Sequence, residues 1–385
     1  MFVVGSFVTP REAYIALNMI DGIGPVKVRA LVEAFGSPEG VFSAAQADLI
    51  RVRGIGPELA QSIITQREQV DPIAEQEKAA KLEARLVTFV DADYPELLKQ
   101  IHDPPLALYV QGTLEKKDKQ AVAIVGTRQA SHYGLSVADR LGYQLAKCGL
   151  VVVSGLARGI DSAAHQGALK GGGRTIAVLG SALDTLYPPE NAELARKIAK
   201  QGAVISEYTL GREADRTTFP YRNRIISGMS MGSVIVEADT KSGAMMTADA
   251  ALDQGRSVFA VPGRIDQPGA HGPHKLIRGG ARLVEDIDDI LQEFELLLPA
   301  DPLRKAAELD SLPRVQLSPD EQAVVQALFE EPLDVDSLTR RTNLPMQKLA
   351  SMLLGLEMKR VIRMLPGRLV ALADGVRELA APRAQ

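Results

Sequence analysis

The chain has 385 residues, of which 46% are hydrophobic and 24% charged. That length implies two or three domains, and that balance builds a globular core without staples. A single cysteine excludes an internal disulfide or a multi-cysteine zinc site. The net charge of −4 excludes a wholly basic footprint, so any polyanion site must be a local patch on an acidic background.

No apolar run approaches the roughly 20 residues that span a bilayer. Phe2–Val8 is apolar, but it is short and no basic region precedes it, so no signal peptide is read. The expectation is a cytoplasmic protein with no membrane contact. Cys148 falls on an apolar helical stripe and reads as a core thiol. With no Trp, base stacking would fall to Phe or Tyr.

Residues 1–85 contain a short repeat. Gly22-Ile23-Gly24-Pro25 recurs as Gly54-Ile55-Gly56-Pro57, each followed by a helical stretch. This is the pattern of a tandem helix-hairpin-helix, or SAM-like, domain. Its glycines let backbone approach a phosphate, and each following helix N-terminus offers unpaired N–H groups. Lys27, Arg29, Arg51 and Arg53 flank the turns. Weak contact with double-stranded DNA is one reading; compact turns that only pack a small domain are the other.

Residues 86–295 alternate short β-rich runs with helical patterns. The candidate strands are Ala121–Val125, Val151–Ser154, Thr175–Leu179, Ala203–Ser206, Ser233–Glu237 and Ser257–Val261. Gly149, Gly202 and Gly255 suit helix C-caps. The alternation predicts an α/β, Rossmann-like, doubly wound and mostly parallel sheet. Leu86–Thr113, with a strand-like Leu108–Val110, reads as an extension of it.

Leu296–Gln316 is broken by three prolines and reads as a linker. Residues 317–375 then read as a winged-helix-like domain. Ser318 caps a helix that Pro319 begins, helices near Val335–Arg341 and Pro345–Lys359 follow, and Val361–Leu365 and Leu369–Leu372 form a hairpin around Pro366-Gly367-Arg368. The recognition-helix position is mostly apolar, with Lys348, Lys359 and Arg360 as its cations, which favours packing or protein contact over groove readout.

Ligands of open parallel sheets bind beyond the carboxyl ends of the strands. There the sequence places Gly126, Thr127 and Arg128, then Ser154-Gly155 and Arg158-Gly159. Asp161 reads as an N-cap and His165 as a residue facing the sheet. Phe219 to Gly228 is the richest stretch. A helix starting near Tyr221 would put Arg222, Asn223 and Arg224 in its first turn. Cations there oppose the helix dipole by about 0.3–1 kcal/mol each. A bound anion resolves the conflict; the alternative is internal pairing with Glu207 or Asp215. Phe219 or Tyr221 is placed to stack a base. Lys241, Ser242 and Gly243 open a further helix. Val261–Arg264 and Gly269–Gly280, with His271, His274, Lys275 and Arg278, complete the rim. The two histidines lack a carboxylate at matching spacing, so no metal is expected. No Gly-x-Gly-x-x-Gly follows the first strand, and no P-loop or nucleophile elbow occurs. No cofactor and no catalytic residue is expected.

With these residues in view, the chain resembles the bacterial DNA-processing protein A (DprA, or Smf) family. The matching stretches are Val122–Arg128, Ser154–Asp161, Thr175–Asp184, Tyr187–Asn191, Phe219–Ser230 and Val258–Gly263, in order. The resemblance implies single-stranded DNA binding with little sequence preference, delivery of the RecA recombinase during natural transformation and recombination, and a homodimer. It implies no catalysis. It carries the DNA pocket onto Arg128, Arg158, Phe219, Arg222, Arg224 and Lys241. Two departures touch the rim: Ser242-Gly243-Ala244-Met245 replaces Ser-Gly-Ser-Leu, and His274 stands where Asn is usual. The rival from another class is a nucleotide N-glycosidic hydrolase of the lysine-decarboxylase-like Rossmann group, using Glu207 or Glu237, although its Pro-Gly-Gly-x-Gly-Thr signature is missing. A further rival is an adaptor acting through the C-terminal domain alone.

Overall fold

The computed structural model describes residues 9–294, 318–328, 332–358, 361–365 and 369–372. The Phe2–Val8 run, the 296–316 linker, Lys359, Arg360 and the Pro366-Gly367-Arg368 turn therefore lie outside the described residues. The chain divides into two units, residues 1–306 and 307–385.

In the first unit, short runs of branched and small apolar residues form β1 (Ala84–Thr88), β2 (Ala107–Gly112), β3 (Ala121–Val125), β4 (Val151–Ser154), β5 (Thr175–Val178), β6 (Ala203–Ser206), β7 (Gly232–Ile235), β8 (Ser257–Ala260) and β9 (Arg282–Leu283). Among the described residues they make one sheet in the order β1-β2-β6-β5-β4-β3-β7-β8-β9. Pairing is antiparallel at β1–β2 and β2–β6 and parallel from β6 through to β9. The six strands expected from the sequence are all present, within a residue or two of their expected ends. Leu86–Thr113 does extend the sheet, but as two strands, β1 having gone unread.

Alternate residues of these strands enter different cores. Ile176, Val178 and Ile205 pack with Ile225 and Ile226 on one face; Ala177 and Val204 pack with Leu194 and Ile198 on the other. Strands covered on both faces must be apolar at nearly every position. The chain winds outward from β3 through β4, β5 and β6, then crosses back to β7 on the opposite side of β3. The switch point lies between β3 and β7, where the two directions of winding part and a crevice opens.

Helices His132–Lys147 and Ile160–Lys170 cross at bare backbone. A methyl on Gly142 would meet the Ala164 carbonyl oxygen at 2.4 Å, and one on Gly167 would meet that of Asp139 at 2.0 Å. The five helices from Pro10–Asn18 to Pro57–Arg67 bury a cluster around Leu17, Leu31, Leu49 and Ile63, and a sixth, Pro72–Lys81, buries Ala79 against the sheet core. Gly22 and Gly54 share φ +86°, so the sequence repeat is also a conformational one.

The second unit has helices Pro319–Ala327, Val335–Thr342 and Met346–Met358. Its sheet is β10 (Leu333–Asp334), β11 (Ile362–Leu365) and β12 (Leu369–Leu372), in the order β10-β12-β11. Ser318 caps the helix as expected, and Glu321, which was not read from the sequence, completes a capping box with it. Leu349, Leu353 and Leu356 are buried, so the apolar face of the Met346–Met358 helix packs inward.

Alanine ordinarily favours a helix over glycine by about 1 kcal/mol. Gly167→Ala is expected to do the reverse here and destabilise by about 1–3 kcal/mol, through forced separation of two backbones. Urea unfolding measures this, and parent-like stability would contradict the close crossing.

Candidate nucleic-acid interface

A cleft of about 410 Å³ opens at the switch point. The loop after β3 supplies Gly126, Thr127, Arg128 and Gln129. Helix Thr218–Gly228 supplies Phe219, Arg222 and Asn223, and the start of helix Gly243–Asp253 supplies Ser242, Gly243 and Thr247. Of the residues expected from the sequence, these eight share the cleft: Gly126, Thr127, Arg128, Phe219, Arg222, Asn223, Ser242 and Gly243.

Arg222 is the centre of it. Its side chain is only 4% exposed. Nη1 donates to the Gly155 carbonyl at 2.8 Å and to the Val178 carbonyl, and Nε donates to Asn223 Oδ1 at 3.3 Å. No carboxylate lies within ion-pair distance of it among the described residues. Burial pulls its pKa down to about 10, against the more distant attraction of Asp161. A desolvated guanidinium whose hydrogen-bond partners are all neutral is expensive to keep and has room for an anion.

The surrounding residues hold that geometry. A methyl on Gly155 would sit 2.5–2.7 Å from the Arg222 guanidinium, so any larger residue here would displace that group. Asn223 Nδ2 donates to the Gly243 carbonyl at 3.1 Å and joins the two helices that flank the cleft. Arg128 lies over the Phe219 ring at 4.8 Å, an exposed cation stacked on a half-buried aromatic at the mouth. The Ser242 hydroxyl is buried and has no partner. Thr127 N–H donates to the Glu237 carbonyl at 2.7 Å, which ties the β3 loop across to β7.

Several expectations are corrected. Helix 218–228 begins at Thr218, not near Tyr221, so Arg222 and Arg224 fall in its second turn. Its N-terminus is served by Asp215, whose carboxylate accepts from the Thr217 and Thr218 N–H groups at 2.7 and 3.0 Å. The dipole conflict therefore does not arise. Arg224 points away from the cleft. Nη2 pairs with Glu207 at 2.5 Å, Nε with Asp103 at 3.0 Å, and the guanidinium covers Tyr221 at 4.1 Å. Internal pairing with Glu207 is the outcome for Arg224, because two residues along a helix turn a side chain about 200°.

Arg158 is exposed and paired with Glu190 outside the cleft. The Ser154 hydroxyl is buried against the Ile124 carbonyl at 2.6 Å, and Gly159 (φ +77°) serves the turn into helix Ile160–Lys170. Lys241 is exposed beyond the cleft lining. Asp161 is not an N-cap. It sits inside the first turn and reaches back to accept from Gly155 and Ala157 N–H at 3.1 and 3.4 Å, at the cleft wall. Burial raises its pKa although Arg222 lowers it. Thr247 was missed; its position one helical turn beyond Gly243 was the available signal. His274 spends its ring on the Gly263 carbonyl at 3.0 Å.

The residues named for the enzymatic rival are engaged in the fold. Glu207 pairs with Arg224, and Glu237 accepts from the Ser131 N–H at 2.9 Å and from its hydroxyl. In the helix-hairpin-helix region the first turn faces the sheet domain. Arg29 donates to the His102 carbonyl at 2.7 Å, and a methyl on Gly24 would meet the Tyr221 hydroxyl at 3.4 Å. Around Gly54 and Gly56 there is open space, and Arg53 is exposed.

A doubly wound sheet with a cleft lined by arginines at its switch point, joined to helix-hairpin-helix and winged-helix modules, defines a Rossmann-like multidomain class. Residues 85–295 match the DNA recombination-mediator protein A family, 308–368 the DprA winged helix domain, and 14–68 the SAM-like helix-hairpin-helix tandem. The chain belongs to the DNA recombination-mediator protein A (DprA/Smf) family. It is 34% identical to Protein Smf of Synechocystis sp., over 93% of this chain and 98% of that one. It is 40% identical to Protein Smf of Escherichia coli, over 72% and 75% respectively. The X-ray structure of DNA processing protein A from Streptococcus pneumoniae superimposes with a TM-score of 0.64 at 34% identity, covering 74% of this chain and 98% of that one.

Breaking a buried pair leaves a charge stranded, so Arg224→Gln is expected to destabilise the protein by about 3–5 kcal/mol, read by denaturant unfolding. His165 gives a pH test. It is fully buried, Nδ1 donates to Thr175 Oγ1 at 2.6 Å, Nε2 has no partner, and burial depresses its pKa from 6.5 to about 3. Only the unfolded chain gains the proton between those values, so stability falls as pH drops from 6.5 towards 3. His165→Gln should lessen that acid slope by up to one proton; an unchanged slope would mean the ring does not stay neutral in the fold.

Proposed function

We propose that the protein binds single-stranded DNA at this cleft, without sequence preference, and that Arg222, Arg128 and Phe219 are its main contacts. The observation that carries the reading is Arg222: a nearly buried guanidinium, lacking a carboxylate partner, beside an unpartnered hydroxyl. A phosphodiester supplies a full negative charge at close range and accepts from Nη2, the guanidinium nitrogen that none of the described residues engages. Phe219 offers a sequence-tolerant stacking surface at the mouth. Thr127, Ser242 and Gly243 offer backbone and hydroxyl groups along the way, Lys241 adds long-range attraction from outside the cleft, and Arg158 would contribute by exchanging Glu190 for a phosphate.

Family membership supports a role in processing DNA during transformation and recombination. It also supports the finer parts of the proposal: delivery of RecA to the bound strand, action as a homodimer in the cytoplasm, and no catalytic step. The engagement of Glu207 and Glu237 in the fold weighs against glycosidic hydrolysis. A secondary, weak contact with double-stranded DNA fits the second helix-hairpin-helix turn, whose glycines face open space.

The test compares fluorescence anisotropy of labelled oligo-dT and duplex, across a salt series, for the parent and Arg222→Gln. The variant is expected to lose at least tenfold in affinity, and its log–log salt slope should shrink by about 0.7, one single-strand phosphate. Unlike Arg224→Gln, it should leave the melting temperature of the DNA-free protein close to the parent's. Parent-like binding by the folded variant overturns the assignment.

A further inference from the structure

We propose that Asn191 is a positioning residue for this cleft: it fixes a left-handed backbone at Leu156 and thereby aims the carbonyl that orients Arg222. The inference rests on the phosphate reading of the cleft and adds a residue that does not line it.

Leu156 has φ +56°, a region that a bulky side chain occupies only under constraint. Its side chain is fully buried among Leu179, Leu183, Leu194 and Ala195, so it cannot simply be traded for glycine without loss of packing. Rotation about φ of Leu156 turns the Gly155–Leu156 peptide plane, and the oxygen of that peptide accepts from Arg222 Nη1 at 2.8 Å. The backbone torsion at Leu156 therefore sets where the guanidinium is held.

Asn191 closes the other side of that residue. Its Nδ2 donates to the Leu156 carbonyl at 2.7 Å and to Ser162 Oγ at 2.9 Å. Ser162 Oγ in turn donates to the Ala157 carbonyl at 2.6 Å. One amide thus pins both residues after Gly155. Upstream, Asp161 holds the Gly155 N–H. Apart from Arg222 itself, the loop after β4 is gripped from two directions, by Asp161 in the helix that follows and by Asn191 from the end of the Pro189–Asn191 turn.

The experiment measures oligo-dT affinity and melting temperature in the full chain for Asn191→Ala, Asn191→Asp, Leu156→Gly, Asn191→Ala with Leu156→Gly, and Arg222→Gln. Binding is read below the unfolding range of every variant. Both Asn191 variants should weaken binding by about tenfold, roughly 1.4 kcal/mol. Glycine takes φ near +60° freely, so Leu156→Gly should make binding indifferent to Asn191: the double variant should bind within about threefold of Leu156→Gly alone, although both melt lower than the parent. A merely structural Asn191 would lower stability in both backgrounds and show no such rescue. If Arg222→Gln loses binding while both Asn191 variants bind like the parent, this inference falls and the cleft stands. Failure of the glycine rescue overturns it too. If Arg222→Gln binds like the parent, the cleft reading falls and takes this one with it.

Discussion

The arrangement turns on one buried charge that lacks a carboxylate in direct contact among the described residues. Desolvating a guanidinium costs several kcal/mol, and a carboxylate ordinarily repays part of it. At Arg222 that repayment is only partial: Asp161 attracts it from beyond ion-pair distance, while two backbone carbonyls and an amide oxygen hold the group in place without neutralising it. Fixed neutral acceptors keep the side chain ordered while leaving its positive field unspent. An anion entering the cleft meets a cation that is already oriented and already dehydrated, so little reorganisation remains at binding.

The same helix carries the opposite solution two residues on. Arg224 is just as buried, yet it has Glu207 and Asp103 against it and Tyr221 under it. One arginine faces the open cleft and the other is satisfied by the protein. The satisfied side anchors the helix, because the Arg224 pair ties it to the residue after β6 and to the loop before β2. The N-terminal helices reinforce this side: Asn18 donates to the Glu207 carbonyl, and Glu75 accepts from Tyr109 and Leu210. The helix-hairpin-helix repeat is consequently used unevenly, its first turn facing the sheet domain and its second open.

The loops around the cleft follow the same division between holding and binding. Asp161, Ser154 and Glu237 are polar, and all three spend themselves on backbone or hydroxyl groups of neighbouring loops. What remains for a ligand is cationic, aromatic or hydroxylic: Arg222, Arg128, Phe219, Ser242. That chemistry suits a phosphate chain with bases attached.

Much of this was legible in the sequence. Strand positions followed from short apolar runs bounded by glycine, because a sheet covered on both faces needs exactly such local patterns at β3 to β8. The Ser318 cap and the Gly22/Gly54 repeat were equally local, and so were the cleft glycines and Arg128, which lie where parallel strands end. What the sequence left open was which way each arginine of helix 218–228 turns, and whether it finds a carboxylate. Arg222 and Arg224 are alike in a linear reading, and Glu207 and Asp103 are 17 and 121 residues from Arg224 by number. A charge is neutralised by whatever lies nearest in space, and only the folded sheet brings Glu207 beside one arginine while leaving the other facing an open cleft.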